Sequence, residues 1–211
     1  MADLQLFQLQ EQLRSMPEYK ILQRLHALQV SLTVFDQNYR ELKALIARIT
    51  TGDVAVRITR RENRLLFEHA MVEMTRLLHN FVASAISLVH HTRRLHGGVY
   101  QEAGSFSDYQ PEVTKRFTNS GLVQFIQDLR HYTMHYELPS LALITEIRDP
   151  QNETMIHRIA LSRESLLKSQ FRWSLKGRDF IEQHADPDID LVRVVTCSPK
   201  TSPTENVASL G

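Results

Sequence analysis

Between Ile21 and Leu45 apolar side chains return at three- and four-residue steps: Ile21, Leu25, Leu28, Leu32, Phe35, Tyr39, Leu42 and Leu45. That period lays them along one stripe of a helix with 3.6 residues per turn. A stripe of this length needs other long elements to cover it, which predicts a helical bundle. Pro17 suits the start of this helix and separates it from a shorter periodic run through Leu4, Phe7, Leu9 and Leu13. Thr50-Thr51-Gly52-Asp53 should break it. A second long helix is expected from Thr59 to Leu95, with Leu65, Val72, Leu78, Phe81, Ala85, Leu88 and Leu95 in its apolar band. His96-Gly97-Gly98 should end it, since glycine readily takes the left-handed C-cap conformation. With seven Gly and seven Pro in 211 residues, an all-β chain built on many tight turns is disfavoured.

Val99 to Thr118 reads as a polar loop. Asn119 or Ser120 then caps a third helix, whose buried side is Leu122, Val123, Phe125, Ile126 and Leu129, and which must stop before Pro139. Beyond Pro139 the period becomes two. Leu141, Leu143, Thr145 and Ile147 alternate with their neighbours, Asp149-Pro150-Gln151-Asn152 supplies a turn, and Met155 to Leu161 forms the second arm of a β-hairpin. Ser162 caps a helix to about Ser169, Gly177 marks a break, and Arg178 to His184 gives another turn or two of helix. Asp186-Pro187-Asp188 resembles a further helix start, cut short near Val195. From Thr196 to Gly211 the Ser/Thr/Pro-rich chain has nothing to bury and is expected to be disordered. The expected fold class is mainly α: a bundle over residues 1–138, a hairpin with short helices packed on it over 139–195, and a tail over 196–211.

Several function classes drop out early. The one cysteine, Cys197, supplies neither an internal disulfide nor a zinc ribbon. No apolar stretch follows a basic N-terminal region as in a signal peptide, and the longest near-apolar run, Phe81 to Val89, is too short for a bilayer. A cytoplasmic protein with no membrane contact is expected. A net charge of +1 gives no global attraction to nucleic acid. Walker, dinucleotide-binding, nucleophile-elbow and C-x-x-C motifs are missing.

Ten histidines remain to be explained. Two stand in the segment Gln127-Asp128-Leu129-Arg130-His131-Tyr132-Thr133-Met134-His135-Tyr136, where titratable groups concentrate on a predicted helix. His131 and His135 are four apart and share a face, with Arg130 about 100° round the axis. Arg offers a rigid charged fork for phosphate, and imidazole moves protons near neutral pH. Together they suffice to cleave RNA without a metal, one His taking the 2′-hydroxyl proton, Arg holding the phosphorane and a His protonating the leaving oxygen. The same i,i+4 spacing occurs in helical zinc sites, with Glu137 or a distant His as a further ligand. There is no H-E-x-x-H motif to support a zinc enzyme, and neither a metal nor another cofactor is expected.

Arg130-His131-Tyr132-Thr133-Met134-His135 resembles the R-x4–6-H motif of the HEPN superfamily (higher eukaryotes and prokaryotes nucleotide-binding domains). The wider string from Phe125 to Pro139 is also similar to one in uncharacterised bacterial proteins. The resemblance implies an α-helical bundle, a homodimer that pairs two motifs in one cleft, and metal-independent endoribonuclease or RNA-binding activity of a toxin or phage-defence type. Arg130 and His135 would be catalytic and His131 a polar helper, with RNA and an antitoxin-like protein as partners. The alternative is a non-catalytic interaction protein in which Arg130, His131 and His135 satisfy buried groups.

Two further basic groups are candidates for RNA contacts. Arg57, Arg60, Arg61 and Arg64 follow i, i+3, i+4, i+7 spacing at the start of the second long helix, where positive charge opposes the dipole and a partner or solvent must take it up. Arg93 and Arg94, with His90, His91 and His96, lie at its end, where cations complement the dipole and also suit a phosphate backbone. Glu68, Glu73, His79 and Asn80 are auxiliary polar positions on the same helix, and Trp173 beside Phe171 reads as core.

Overall fold

A computed structural model describes residues 2–100, 111, 113–114, 120–149, 154–184 and 186–196. Two long helices organise them: α2 (Pro17–Thr50) and α4 (Arg64–Leu95), each about 50 Å in length and packed along one another. Helix α1 (Ala2–Ser15) precedes them, and α3 (Gly52–Ile58) with a 3-10 turn at Arg61–Asn63 joins them. Pro17 stands at the head of α2 as expected, where its missing N–H is harmless. Gly52 turns the chain between α2 and α3 at φ 62°, a region glycine enters without steric penalty.

Burial is uneven along both stripes. Phe35 and Tyr39 pack on the core and Leu42, Ile46 and Ile49 lie inside it, but Leu25 and Leu32 are exposed. On α4 the buried set is Met74, Leu77, Leu78, Phe81, Val82, Ser84 and Leu95, whereas Leu65 and Val72 are 73% and 70% exposed. The first half of α2 and the start of α4 thus reach past the packed region.

The end of α4 departs from the expected glycine cap. His96–Tyr100 continues as a π-helical turn, and neither Gly97 nor Gly98 takes positive φ. Gly98 is instead a close-approach residue: Arg24 Nη1 donates to its carbonyl at 3.0 Å, and a Cβ there would meet the guanidinium. Most of the loop expected at Val99–Thr118 lies outside the described residues.

Helix α5 (Gly121–His135) follows, N-capped by Ser120, whose hydroxyl accepts from Val123 N at 3.4 Å. Strands β1 (Leu141–Asp149) and β2 (Thr154–Ser162) form the expected antiparallel pair, with Leu143 opposite Ile159; the turn at 150–153 is outside the described residues. Ser162 caps α6 (Arg163–Lys168). Helix α7 (Leu175–Glu182), strand β3 (Asp188–Asp190) and helix α8 (Leu191–Thr196) complete the described chain, and the tail beyond is not described. The expected helix start at Asp188 is corrected to this third strand. Ile189 buries its side chain opposite Leu161, and Asp190 closes the strand by accepting from Val192 N at 2.8 Å, which starts α8. One core joins Leu42, Leu78, Phe125, Tyr132, Ile159, Leu161, Ile181 and Val194. No helix among the described residues is long and apolar enough to cross a membrane.

Gly177 does not break the chain; it lies in the first turn of α7. Asp128 Oδ2 accepts from Ser174 N and Oγ at 2.9 and 2.7 Å, and Ser174 Oγ accepts from Gly177 N at 3.1 Å. A Cβ at Gly177 would stand 2.2 Å from that Asp128 oxygen. Gly177→Ala should therefore destabilise the protein by about 1–3 kcal/mol through crowding, although alanine is the better helix former. Urea denaturation tests this, and a stabilised variant would show that Asp128 swings away freely.

His184, just past α7, is buried at 6% exposure, and its carbonyl accepts from Arg163 Nη1. Burial and then the Arg193 charge hold its pKa below the ordinary 6.5, against the opposing pull of Asp186. The unfolded chain therefore takes up a proton that the folded chain resists. The His184 contribution is complete above about pH 6.5 and is lost as pH falls through the folded-state pKa. Unfolding curves should show stability falling below that pH, with a shallower slope in His184→Gln.

Candidate phosphate and proton-transfer site

Helix α5 presents three different sides. Phe125, Leu129 and Tyr132 are buried against the C-terminal segment, where Phe125 stacks on Phe180 at 5.0 Å and on Trp173 at 5.7 Å. Trp173 also stacks on Tyr132 and donates Nε1–H to the Leu166 carbonyl, as its core reading anticipates. The Tyr132 hydroxyl donates to Glu137 at 3.0 Å, and burial, reinforced by that carboxylate, pushes its pKa up to about 12. Gln170 N donates to the Tyr136 hydroxyl, and these contacts together fix the end of the motif helix.

Arg130 faces the other way, toward α4. It lines a cavity of about 230 Å³ with Ile86, Ser87, His90, His91 and Arg94. Its Nε is buried without a hydrogen-bond partner. Among the described residues no carboxylate lines the cavity, and neither Arg94 nor Arg130 is ion-paired to another described residue. Ser87, His90, His91 and Arg94 follow i, i+3, i+4, i+7 spacing on α4, one polar face at the end of a helix whose middle is core. His91 Nδ1 is hydrogen-bonded to Ser31 of α2, a buried hydroxyl in the otherwise exposed half of that helix.

His131 and His135 occupy the third side. Both are exposed, their ring centroids 5.1 Å apart. Arg130 and the two histidines therefore do not line this cavity together. The helix turn that sends the guanidinium into the α4–α5 cavity sends both imidazoles outward, and neither is among its lining residues. Met134, Tyr136 and Leu138 are exposed beside His135.

The remaining candidates separate. Arg57, Arg60, Arg61 and Arg64 do not form one helical face, because Arg57 lies in the last turn of α3, Arg61 in the 3-10 turn and Arg64 opens α4. All four are exposed; Arg64 pairs with Glu68 at 2.8 Å and Arg60 approaches Glu62 at 3.9 Å. Arg93 is exposed outside the cavity, and Glu73 pairs with Arg76 at 2.6 Å. His79 Nδ1 is buried without a partner. Among the described residues no group of three or more His, Cys, Asp or Glu is placed to hold a metal ion.

The sequence offers both a dipole complement and a phosphate contact for the His90–His91 cluster, and no motif in it singles out Ser31 or Ser87. The polar i, i+3, i+4, i+7 face at Ser87–Arg94 was the available signal. The arrangement is donor-rich and acceptor-poor, suited to an anion, with two solvent-facing imidazoles on the adjoining helix. Compared with protein-family models, curated proteins and solved structures, the chain finds no match.

Proposed function

We propose that this protein is a cytoplasmic, HEPN-like RNA-binding protein that cleaves RNA by acid–base chemistry at α5. One observation carries the reading: among the described residues Arg130 has no counter-charge in its basic cavity, while His131 and His135 stand exposed on the same helix. Because the imidazoles of the same α5 face away from the Arg130 cavity, Arg130 of one copy holds the phosphate and the charge that builds on it, and a second copy supplies the imidazoles. An imidazole of the motif accepts the 2′-hydroxyl proton as the 2′-oxygen bonds to phosphorus. The bond from phosphorus to the 5′-oxygen then breaks, and that oxygen takes a proton from the second imidazole. His135 is the catalytic candidate and His131 its helper. Arg93 and Arg94, and the separate exposed group Arg57, Arg60, Arg61 and Arg64, would meet further backbone phosphates.

A homodimer fits this reading, since Met134, Tyr136 and Leu138 give the His135 surface an apolar rim that a second copy would cover. A toxin or phage-defence role, with an antitoxin-like partner, accompanies the same proposal. The test is incubation of RNA with the protein in EDTA, beside Arg130→Ala and His135→Ala. Intact RNA, or equal cutting by both variants, overturns the catalytic reading. A specific observation favours a second, non-catalytic reading as an interaction protein: Leu6, Phe7, Leu9 and Leu13 are all exposed on α1.

A further inference from the structure

We propose that the α4–α5 cavity is a phosphate-binding site in its own right, with Arg94 and Arg130 as its charged forks, His90 and His91 as further ligands, and Ser31 as the residue that positions His91. This deepens the RNA reading and takes from it only the source of the phosphate. Among the described residues the lining places two guanidinium groups, two imidazoles and a serine hydroxyl around one cavity, with no carboxylate. Arg130 and the more exposed Arg94 bring like charge to one cavity whose described lining holds no counter-charge, and a buried N–H without a partner loses the hydrogen bond it had in water. An oxyanion resolves both, and the buried, unpartnered Arg130 Nε is the donor that needs it.

The end of α4 carries the negative end of its helix dipole, which works against an anion. That is equivalent to about half a charge, and the two guanidiniums outweigh it. Arg forks match phosphate oxygens in pairs, and at about 230 Å³ the cavity is smaller than a site for a drug-sized ligand. It suits a single phosphate group rather than a whole cofactor. Ser31 explains the imidazole geometry. Its bond to Nδ1 fixes the ring of His91 and leaves Nε2 as the nitrogen available to a ligand.

The probe is inorganic phosphate, titrated calorimetrically into the full chain at constant ionic strength set with chloride. Saturable binding is expected, weakened about tenfold or more in Arg94→Gln and in Arg130→Gln. Arg178→Gln, which removes a surface arginine paired with Glu182, should leave it unchanged. Arg94 is exposed on α4, so its variant keeps the test informative if Arg130→Gln unfolds. Ser31→Ala should weaken phosphate binding and diminish the phosphate-induced shift of the His91 Nε2 signal in ¹⁵N spectra, a ligand-dependent change that a merely structural serine would not affect. Lack of saturable binding, or binding untouched by both arginine variants, overturns the site. Oligoribonucleotides with a 5′-phosphate or a 5′-hydroxyl separate the sources. Preference for the phosphorylated end assigns a terminal monoester, and equal binding assigns an internal diester. Phosphate binding with uncut RNA would leave the pocket standing while cleavage fails, and the converse would do the opposite.

Discussion

Phe125→Ala should lower the unfolding free energy by about 3–5 kcal/mol, a fall of roughly 6–20 °C in melting temperature for a chain of this size. Phe125 is fully buried, with Trp173 against one side of it and Phe180 against another. Both partners come from the C-terminal segment, so the lost ring leaves a hole where the helical and C-terminal parts meet. Tyr132, two turns further along α5, stacks on Trp173 of the same segment, and Leu129 between Phe125 and Tyr132 is fully buried in the shared core. The packing therefore predicts one cooperative transition, not two, and the whole transition should move in the variant. Calorimetry decides this. A second transition that stays in place, or a shift under about 2 °C, would show that the segment after Pro139 contributes little to holding α5.

The long elements were legible because their information is local. A stripe at Phe35, Tyr39 and Leu42, a proline at position 17 and the serines at 120 and 162 each act within a turn or two of themselves. Features decided by contacts across the chain were not. Gly177 looks like a break until Asp128 is known to occupy the space its Cβ would fill. Asp188–Asp190 is three residues long, and pairing with β2 makes it a strand where local spacing suggested a helix start. Arg57 to Arg64 has helical spacing, yet an irregular stretch around Arg60 and the 3-10 turn destroy the common face.

The candidate site divides along the same line. That His131 and His135 share a face follows from their spacing, and their rings do lie together. That Arg130 meets Arg94 and His91 depends on how α5 crosses α4, and that His91 is held by Ser31 depends on α2 as well. A basic cluster at the end of a helix has a sufficient local explanation in the dipole. Only the crossing shows that the same residues surround a cavity.

In the RNA assay Arg130→Ala and His135→Ala should each cut at a rate lower by roughly 10²–10⁴, the range for a positioned acid or base and for a charge-stabilising donor. EDTA should not slow the wild type. His131→Ala, the helper position, should lose less. Arg130→Lys keeps the positive charge but not the paired fork, so it should stay well below wild type. His135 is exposed and in the last turn of α5, so its loss should change stability by no more than about 0.5 kcal/mol. A large fall in melting temperature would assign it a structural role instead. Mixing the two inactive variants tests the proposed dimer. If one cleft draws on the motifs of both copies, a mixed dimer brings together an intact Arg130 from one and an intact His135 from the other, and some cutting should return. If each copy cuts alone, the mixture stays as inactive as its components.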